Sequence, residues 1–458
     1  MSLMVRSPVE TERFRAWGPH QLDEIAARYG IPPDLQESIR LVSRVLPFRV
    51  NEYVLSHLID WSDVPDDPMF QLVFPQLEML REQDRRSLVR LTGTDTRRSD
   101  ARAAVRRIRE RLNPHPSGQR EYNVPSLDGE RLSGLQHKYR ETVLYFPGHG
   151  QTCHAYCTYC FRWAQFVGEP GLRFAARGPT GLIAYLHRHP EVSDVLVTGG
   201  DPMVMSTERL RSHLEPLLDV ETVRTIRIGT KAVAYWPQRF VTDRDADDLL
   251  RFMERMTATG RQVAVMAHFS HPRELGTGTA RRALARILST GAVVYCQAPL
   301  IAHVNDRAAT WNELWRTELA AGAVPYYMFV ERDTGPHGYF RVPLARAVSV
   351  FQDAYRLLPG LARTVRGPVM SATPGKVVVD GVESAPDGKF FRLRMLQARD
   401  PSLVGRPFRA PYSPTASWLT ELGADPSTPA DIAAAVHGAA GAAPSRAGSA
   451  GQWREEHR

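Results

Sequence analysis

Apolar and polar positions divide the chain into two regimes. Up to about residue 137 the segments HQLDEIAARYG (20–30), DLQESIRLVSRVLPFRVNEYVLSHLID (34–60) and VPDDPMFQLVFPQLEMLREQDRRSLVRL (64–91) have helical character, which predicts a mainly helical N-terminal region over 1–137. Beyond it, short β-rich runs recur: Val143–Phe146, Val195–Thr198, Thr225–Thr230, Ala264–Phe269, Val293–Ala298 and Pro325–Val330. Between them lie amphipathic stretches such as RDADDLLRFMERMTATG (244–260) and TARRALARILSTG (279–291), each closing on a glycine suited to a helix C-cap. Alternating strands and helices predict an α/β fold with a parallel sheet, and six units are compatible with a partial (β/α)6 TIM-like barrel over 138–360. A C-terminal extension follows over 361–422. The segment 423–458, rich in Ala, Gly, Pro and Ser, reads as a mobile terminus.

On such a sheet, chemistry belongs at the C-terminal strand ends. The run GHGQTCHAYCTYCF follows the first predicted strand, Gly199-Gly200-Asp201 follows the second, and His268 with His271 follows the fourth. All three fall on one mouth. Cys153, Cys157 and Cys160 have C-x3-C-x2-C spacing in a chain with one other cysteine. Thiolate is the soft ligand iron prefers, so three cysteines can hold three irons of a [4Fe-4S] cubane and leave the fourth open. Zinc is an alternative, with His149 or His154 as the fourth ligand, although structural zinc favours paired C-x2-C knuckles. A disulfide framework would leave one thiol of the trio unpaired. Cys296, alternating within a strand, reads as a small buried hydrophobe.

Composition narrows the partners. Net charge is +8, yet the only lysines are Lys138, Lys231, Lys376 and Lys389, so the basicity is almost all arginine and a cofactor needing a Schiff-base lysine has four candidates. The arginine-rich stretch 97–111 reads first as a solvated helix face and second as an RNA-binding surface. No apolar run approaches a membrane span of roughly 20 residues, and the N-terminal sequence lacks a secretory layout. A reducing cytoplasm is the expected compartment, with no membrane or nucleic-acid partner.

The cysteine loop followed by a Gly-Gly-acid turn resembles the radical S-adenosylmethionine (SAM) enzymes. LPFRVNEYVLSHLID, DDP with a nearby FP, HKY, VLVTGGDPM, IRIGTKAVAYWPQR, HFSHPREL, QAPLIAHVND and PYYMF then follow the order of the lysine 2,3-aminomutase family, over roughly 330 residues. This resemblance implies a radical SAM barrel, a [4Fe-4S] cluster, S-adenosyl-L-methionine, pyridoxal 5′-phosphate and migration of an α-amino group to the β-carbon. It further implies a small amino-acid substrate, an electron donor such as flavodoxin or ferredoxin, and a homo-oligomer.

By the same resemblance, Tyr159 lies by the adenine and Gly199, Gly200 and Asp201 form the turn that receives the methionyl amine. Gln297 matches a family position that faces the cofactor, whereas His268 and His271, placed by their strand end alone, read either as contacts to S-adenosylmethionine or as bonds to backbone. Lys138, in HKY, stands near the phosphate, with Lys231 as an alternative contact. Lys376 carries the pyridoxal aldehyde, Arg162 binds the substrate carboxylate, and Asp306 is one of two acids that hold a distal amine. Ser371 occupies the neighbourhood of the second acid, Thr142 replaces a family arginine, and the glycine run before Lys376 is shortened to Pro374-Gly375. A variant of this reading makes the substrate a lysyl side chain of a protein, as in the branch that modifies elongation factor P. A different class would be an RNA-associated iron-sulfur protein.

Overall fold

The computed structural model describes residues 13–90, 98–114, 123–169 and 172–438. Its centre is an 11-stranded mixed sheet, labelled here β1 (Leu135–Tyr139), β2 (Thr142–Tyr145), β3 (Asp194–Val197), β4 (Thr225–Thr230), β5 (Gln262–His268), β6 (Val293–Leu300), β7 (Val324–Val330), β8 (Arg366–Ser371), β9 (Gly375–Ala385), β10 (Gly388–Ala398) and β11 (Pro407–Pro411). Strand order follows chain order. Strands β2 to β8 run parallel, while β1 and β9 to β11 are antiparallel to their neighbours. The six predicted strands are β2 to β7. A seventh parallel strand, β8, was not among them: its sequence RGPVMS holds a glycine and a proline, which hide a strand from a β-propensity reading.

The parallel strands are joined by helices α1 (Thr180–Arg188), α2 (Thr207–Leu214), α3 (Ala246–Ala258), α4 (Gly278–Ser289), α5 (Ala308–Ala320) and α6 (Leu344–Arg356). Helix α3 buries Ala246, Leu249, Leu250, Met253 and Met256, one face of a 3.6-residue period. Thr277 caps α4 by accepting from the Ala280 N–H at 3.0 Å. Past the ends of α3 and α4, Gly260 and Gly291 take the left-handed conformation expected of them, with φ of +79° and +80°.

Alternation along the strands separates two faces. On β6, Val294, Cys296, Ala298 and Leu300 are buried, whereas Val293, Tyr295, Gln297 and Pro299 are only partly so. Cys296 thus packs as a small hydrophobe. The sheet curls far enough for its β1 edge to reach the β8–β9 hairpin, where Lys138 Nζ donates to the Ala372 carbonyl. Among the described residues no ladder of hydrogen bonds joins β1 to β11.

The N-terminal helices form a layer that docks on the strand ends. Asp67, fully buried, caps Pro68–Val73: its Oδ1 accepts from Met69 N at 2.9 Å and Phe70 N at 2.8 Å, while its Oδ2 pairs with Arg273 of the HFSHPREL segment. Helix Arg98–Leu112 buries Ala104, Ile108 and Leu112. Its Arg109 pairs with Glu169 and its Arg111 with the buried Asp84, while Arg106 stays exposed and pairs with Glu110 along the helix. The start of the C-terminal alanine-rich segment forms helix Ala430–His437, which buries Ile432 and Val436. Positions 439–458 of that segment lie outside the described residues. No described helix is long and apolar enough to cross a membrane.

Asp67→Ala removes a helix cap and strands Arg273 beside a buried surface. A stability loss on the order of 3 kcal/mol is expected in urea unfolding, with Asp67→Asn, which keeps an acceptor for the cap, losing less.

Candidate active site

The cysteine loop leaves the C-terminal end of β2 and is held from both sides. On the N-terminal layer, Arg49 O accepts from Tyr156 N at 2.9 Å, Leu72 O from Thr158 N at 2.9 Å and Gln71 O from Thr158 Oγ1 at 2.7 Å. Asn51, also buried, donates to His154 O at 3.2 Å and Tyr235 O at 2.8 Å. From the sheet, Gly200 N and Asp201 N reach Gly150 O at 3.0 and 3.1 Å, and Asp201 N reaches Thr152 O at 2.7 Å. The two loops touch so closely that a Cβ on Gly200 would stand 2.3 Å from Thr152 O, and one on Gly199 would stand 2.4 Å from Gln151 Nε2. Glycine is required here first by the cysteine loop itself.

Cys153, Cys157 and Cys160 are free thiols that act electrostatically on one another. Burial pushes all three up, Cys160 to about 12, with the Asp201 carboxylate adding to burial at Cys153. Such thiols ionise when iron takes the place of the proton. No group of three or more His, Cys, Asp and Glu residues that could hold a single metal ion exists among the described residues. Three soft thiolate donors on one loop match three irons of a cubane in their chemistry. His154 is buried edge-on to Phe14, its Nδ1 has no hydrogen-bond partner among the described residues, and burial lowers its pKa to about 3, which keeps the ring neutral.

Around the trio the other expected residues take distinct positions. Tyr159 OH meets His268 Nε2 at 2.9 Å and Ser270 Oγ at 3.0 Å, so these two sequence-predicted residues come together. Gln297 stands beside His268 in the β5–β6 register and beside Tyr327 in the β6–β7 register. Both carboxylate oxygens of Asp201 are engaged within the protein: Oδ1 accepts from Thr230 Oγ1 at 2.7 Å and Met203 N at 2.9 Å, and Oδ2 from Lys231 N at 2.8 Å. Burial raises its pKa to about 6. Asp201 therefore braces the ends of β3 and β4. Lys231 is ion-paired with the fully buried Glu274 at 2.6 Å, which makes it a poor alternative for a phosphate. His271 accepts from Arg273 N at 3.3 Å and caps a turn.

Arg162 is buried, lies over the Phe146 ring at 4.2 Å, and donates to Gln165 Oε1 at 2.6 Å and Gln151 Oε1 at 3.2 Å. Its Nε has no hydrogen-bond partner among the described residues, and burial lowers its pKa to about 10. A buried guanidinium held by neutral amides is short of an anion.

Lys376 opens β9 opposite Ser371. Its Nζ donates to Gln397 Oε1 at 2.7 Å and lies over the rings of Tyr327 and Tyr139, 4.8 and 5.6 Å from their centroids. Burial, reinforced by Arg227 and Arg366, lowers its pKa to about 7. Lys138 is similarly depressed by burial, then by Arg332, Arg399 and Lys376, which puts these four cations in one neighbourhood. Arg332 donates to Ser371 O at 2.9 Å and Arg399 to Thr373 O at 3.0 Å. Arg332 also lies over the Phe161 ring at 5.1 Å, thereby tying the cysteine loop to the lysine hairpin.

Sequence reasoning missed Arg332, Arg399 and Gln397, which carry no motif. The arginine content was visible, but which arginines converge depends on the curl of the sheet. Asp306 is not brought into this group by any described contact; its carbonyl accepts from Arg346 on α6 at 3.3 Å.

Comparison with known proteins bears on the whole arrangement. No family model matches the chain. An Aquifex aeolicus (strain VF5) protein named "Putative L-lysine 2,3-aminomutase" is 30% identical over 398 residues, 86% of this chain and 93% of the relative. The L-lysine 2,3-aminomutase of Bacillus subtilis (strain 168) is 24% identical over 72% of this chain and 60% of its own, and that of Acetoanaerobium sticklandii is 27% identical over 49% and 51%. A radical SAM methyltransferase structure from Sphaerobacter thermophilus aligns with a TM-score of 0.33 and 17% identity, covering 53% of this chain and 71% of that one, a likeness too slight to build on. On the sequence relationships, the chain belongs to the lysine 2,3-aminomutase family of radical SAM enzymes.

Proposed function

We propose that this chain is a 2,3-aminomutase that converts an L-α-amino acid into a β-amino acid on a partial (β/α)6 barrel. In this reading Cys153, Cys157 and Cys160 hold a [4Fe-4S] cluster, S-adenosylmethionine lies between the open iron, the Gly199-Gly200 turn and Tyr159, and Lys376 carries pyridoxal phosphate. The observation that carries it is the convergence, on one mouth, of a three-thiol loop with a half-buried lysine whose pKa its surroundings lower to about 7. When bound, these groups supply a carbon-centred radical and a carbonyl that carries the migrating amine.

The chain's own residues do the rest. Arg162 exchanges its amide partners for the substrate carboxylate and fixes the α-carbon near the cysteine loop. Lys376, neutral for much of the time at pH 7, is a competent nucleophile, and Gln397 Oε1 orients its nitrogen. Lys138, Arg332 and Arg399 supply positive charge for the phosphate. The buried Tyr159–His268 pair and the exposed Phe161 ring, 42% accessible, line the space between the two halves. A low-potential electron donor such as flavodoxin or ferredoxin and a homo-oligomeric state complete the proposal.

The direct test is anaerobic incubation of the reconstituted chain with S-adenosylmethionine, dithionite and a panel of amino acids, scored for β-amino products. A chain that binds iron but yields no β-amino acid from any of them sinks the reading. Arg162→Gln should lower kcat/KM roughly thirty-fold or more, as for loss of a buried charge partner, with iron content unchanged.

The pH dependence follows from Lys376. Since its folded pKa is depressed to about 7 from 10.5, uptake of pyridoxal phosphate, read as a near-visible absorbance band, should rise as pH climbs through about 7. Lys376→Ala should show no such band. The unfolded chain binds the extra proton between these two values, so stability should increase from about pH 7 towards 10.5, and Lys376→Met should flatten that slope in thermal melts.

A further inference from the structure

The three thiols are unequally served. Cys160 receives the backbone N–H of Arg162, and Cys153 faces the Asp201 carboxylate. Cys157 is the thiol met by phenol hydroxyls: the Tyr159 hydroxyl, shared with His268 and Ser270, bears on it, and Tyr235 OH lies 3.6 Å from its Sγ, within reach for an acceptor of sulfur's radius. That is the one hydrogen bond described for the Tyr235 hydroxyl. An iron-bound thiolate carries no hydrogen, so the phenol must be the donor.

Tyr235 is also held firmly in place. It is 1% accessible and ends the short helix Ala232–Tyr235. Its carbonyl accepts from buried Asn51, and its ring lies 4.6 Å from Lys231 Nζ. Lys231 is in turn fixed by Glu274, whose Oε2 accepts from Ser270 N at 2.5 Å and His271 N at 3.1 Å. Carbonyl, ring face and hydroxyl are thus each tied to a different segment.

We infer that Tyr235 is a positioning residue that acts through Cys157 to set the reduction potential of the cluster. The inference rests on the cluster reading above. Hydrogen bonds to the sulfurs of an iron-sulfur cluster stabilise its more negative, reduced state. The step concerned is one electron added to [4Fe-4S]2+ to give [4Fe-4S]+, with no proton transferred; the electron comes from a low-potential one-electron donor, dithionite in the test. A phenol dipole aimed at Cys157 Sγ favours that product, and it does so at the Cys157 iron in particular. Nothing in the substrate-binding half of the site is needed for this effect.

The experiment is a potentiometric titration, followed by electron paramagnetic resonance, of the reconstituted full-length wild type, Tyr235→Phe and Tyr53→Phe. Tyr53 is an equally buried phenol whose hydroxyl bonds Thr277 Oγ1 at 2.6 Å, so its variant deletes the same atom elsewhere in the fold. Tyr235→Phe should shift the midpoint to lower potential, with the reduced-to-oxidised ratio at a fixed potential falling up to tenfold, equivalent to about 59 mV for one electron. Tyr53→Phe should titrate with the wild type. Equal midpoints for wild type and Tyr235→Phe, both iron-replete, overturn the inference and leave the aminomutase reading standing. So does an equal shift in Tyr53→Phe. A wild type that binds no iron overturns both. If Tyr235→Phe fails to hold its cluster, the reduced wild type decides: an exchangeable proton strongly coupled to the cluster, replaced by deuterium in D2O, supports the donor, and its absence rejects it.

Discussion

The structure depends on the way a polar, irregular loop is held at the end of β2. A cysteine loop cannot satisfy its own backbone, and buried N–H and C=O groups without partners are costly. Here the N-terminal layer supplies carbonyls from Arg49, Gln71 and Leu72, and the Gly200–Asp201 turn supplies N–H groups to Gly150 and Thr152. Neither neighbour alone would fix three sulfurs in space. The helical layer, the glycines and the braced carboxylate of Asp201 all serve this one loop, which explains why sequence features so far apart recur in one order.

Charge is arranged around the same loop with two different logics. Lys231 meets Glu274 and is closed off, a buried pair that stiffens the wall behind Cys157. Lys138, Lys376 and Arg162 meet neutral oxygens instead. Holding cations in a poorly hydrated space without anions costs stability, and that cost is recovered only when a ligand brings negative charge. The two logics separate scaffold from site without reference to any motif.

Much of this was legible before the fold was known. Strand-length apolar runs and glycine-closed amphipathic helices gave the repeat, because both obey local periodicity. The thiols and the Gly-Gly-Asp turn were legible because few residues do such work at such spacing. Strand β8 was not, since Gly367 and Pro368 mask it. Nor were Arg332 and Arg399: among so many arginines, only the curling of the sheet decides which two come near Lys138. Asp201 reads in sequence as part of a ligand turn, while its oxygens are engaged by Thr230, Met203 and Lys231, an outcome that depends on which strands lie side by side.

The contact between Lys138 and Ala372 spans 234 positions of sequence. The backbone partners of the thiol loop, from Arg49 to Asp201, all precede β4, whereas the lysine hairpin needs β8, β9 and β10 and the far edge β1 against which they come to rest. The backbone grip on the thiol loop thus draws on the first half of the chain, and the lysine hairpin on the last quarter closing back onto the first strand of the sheet. Long-range closure of this kind is the slow step of folding in sheets of high contact order.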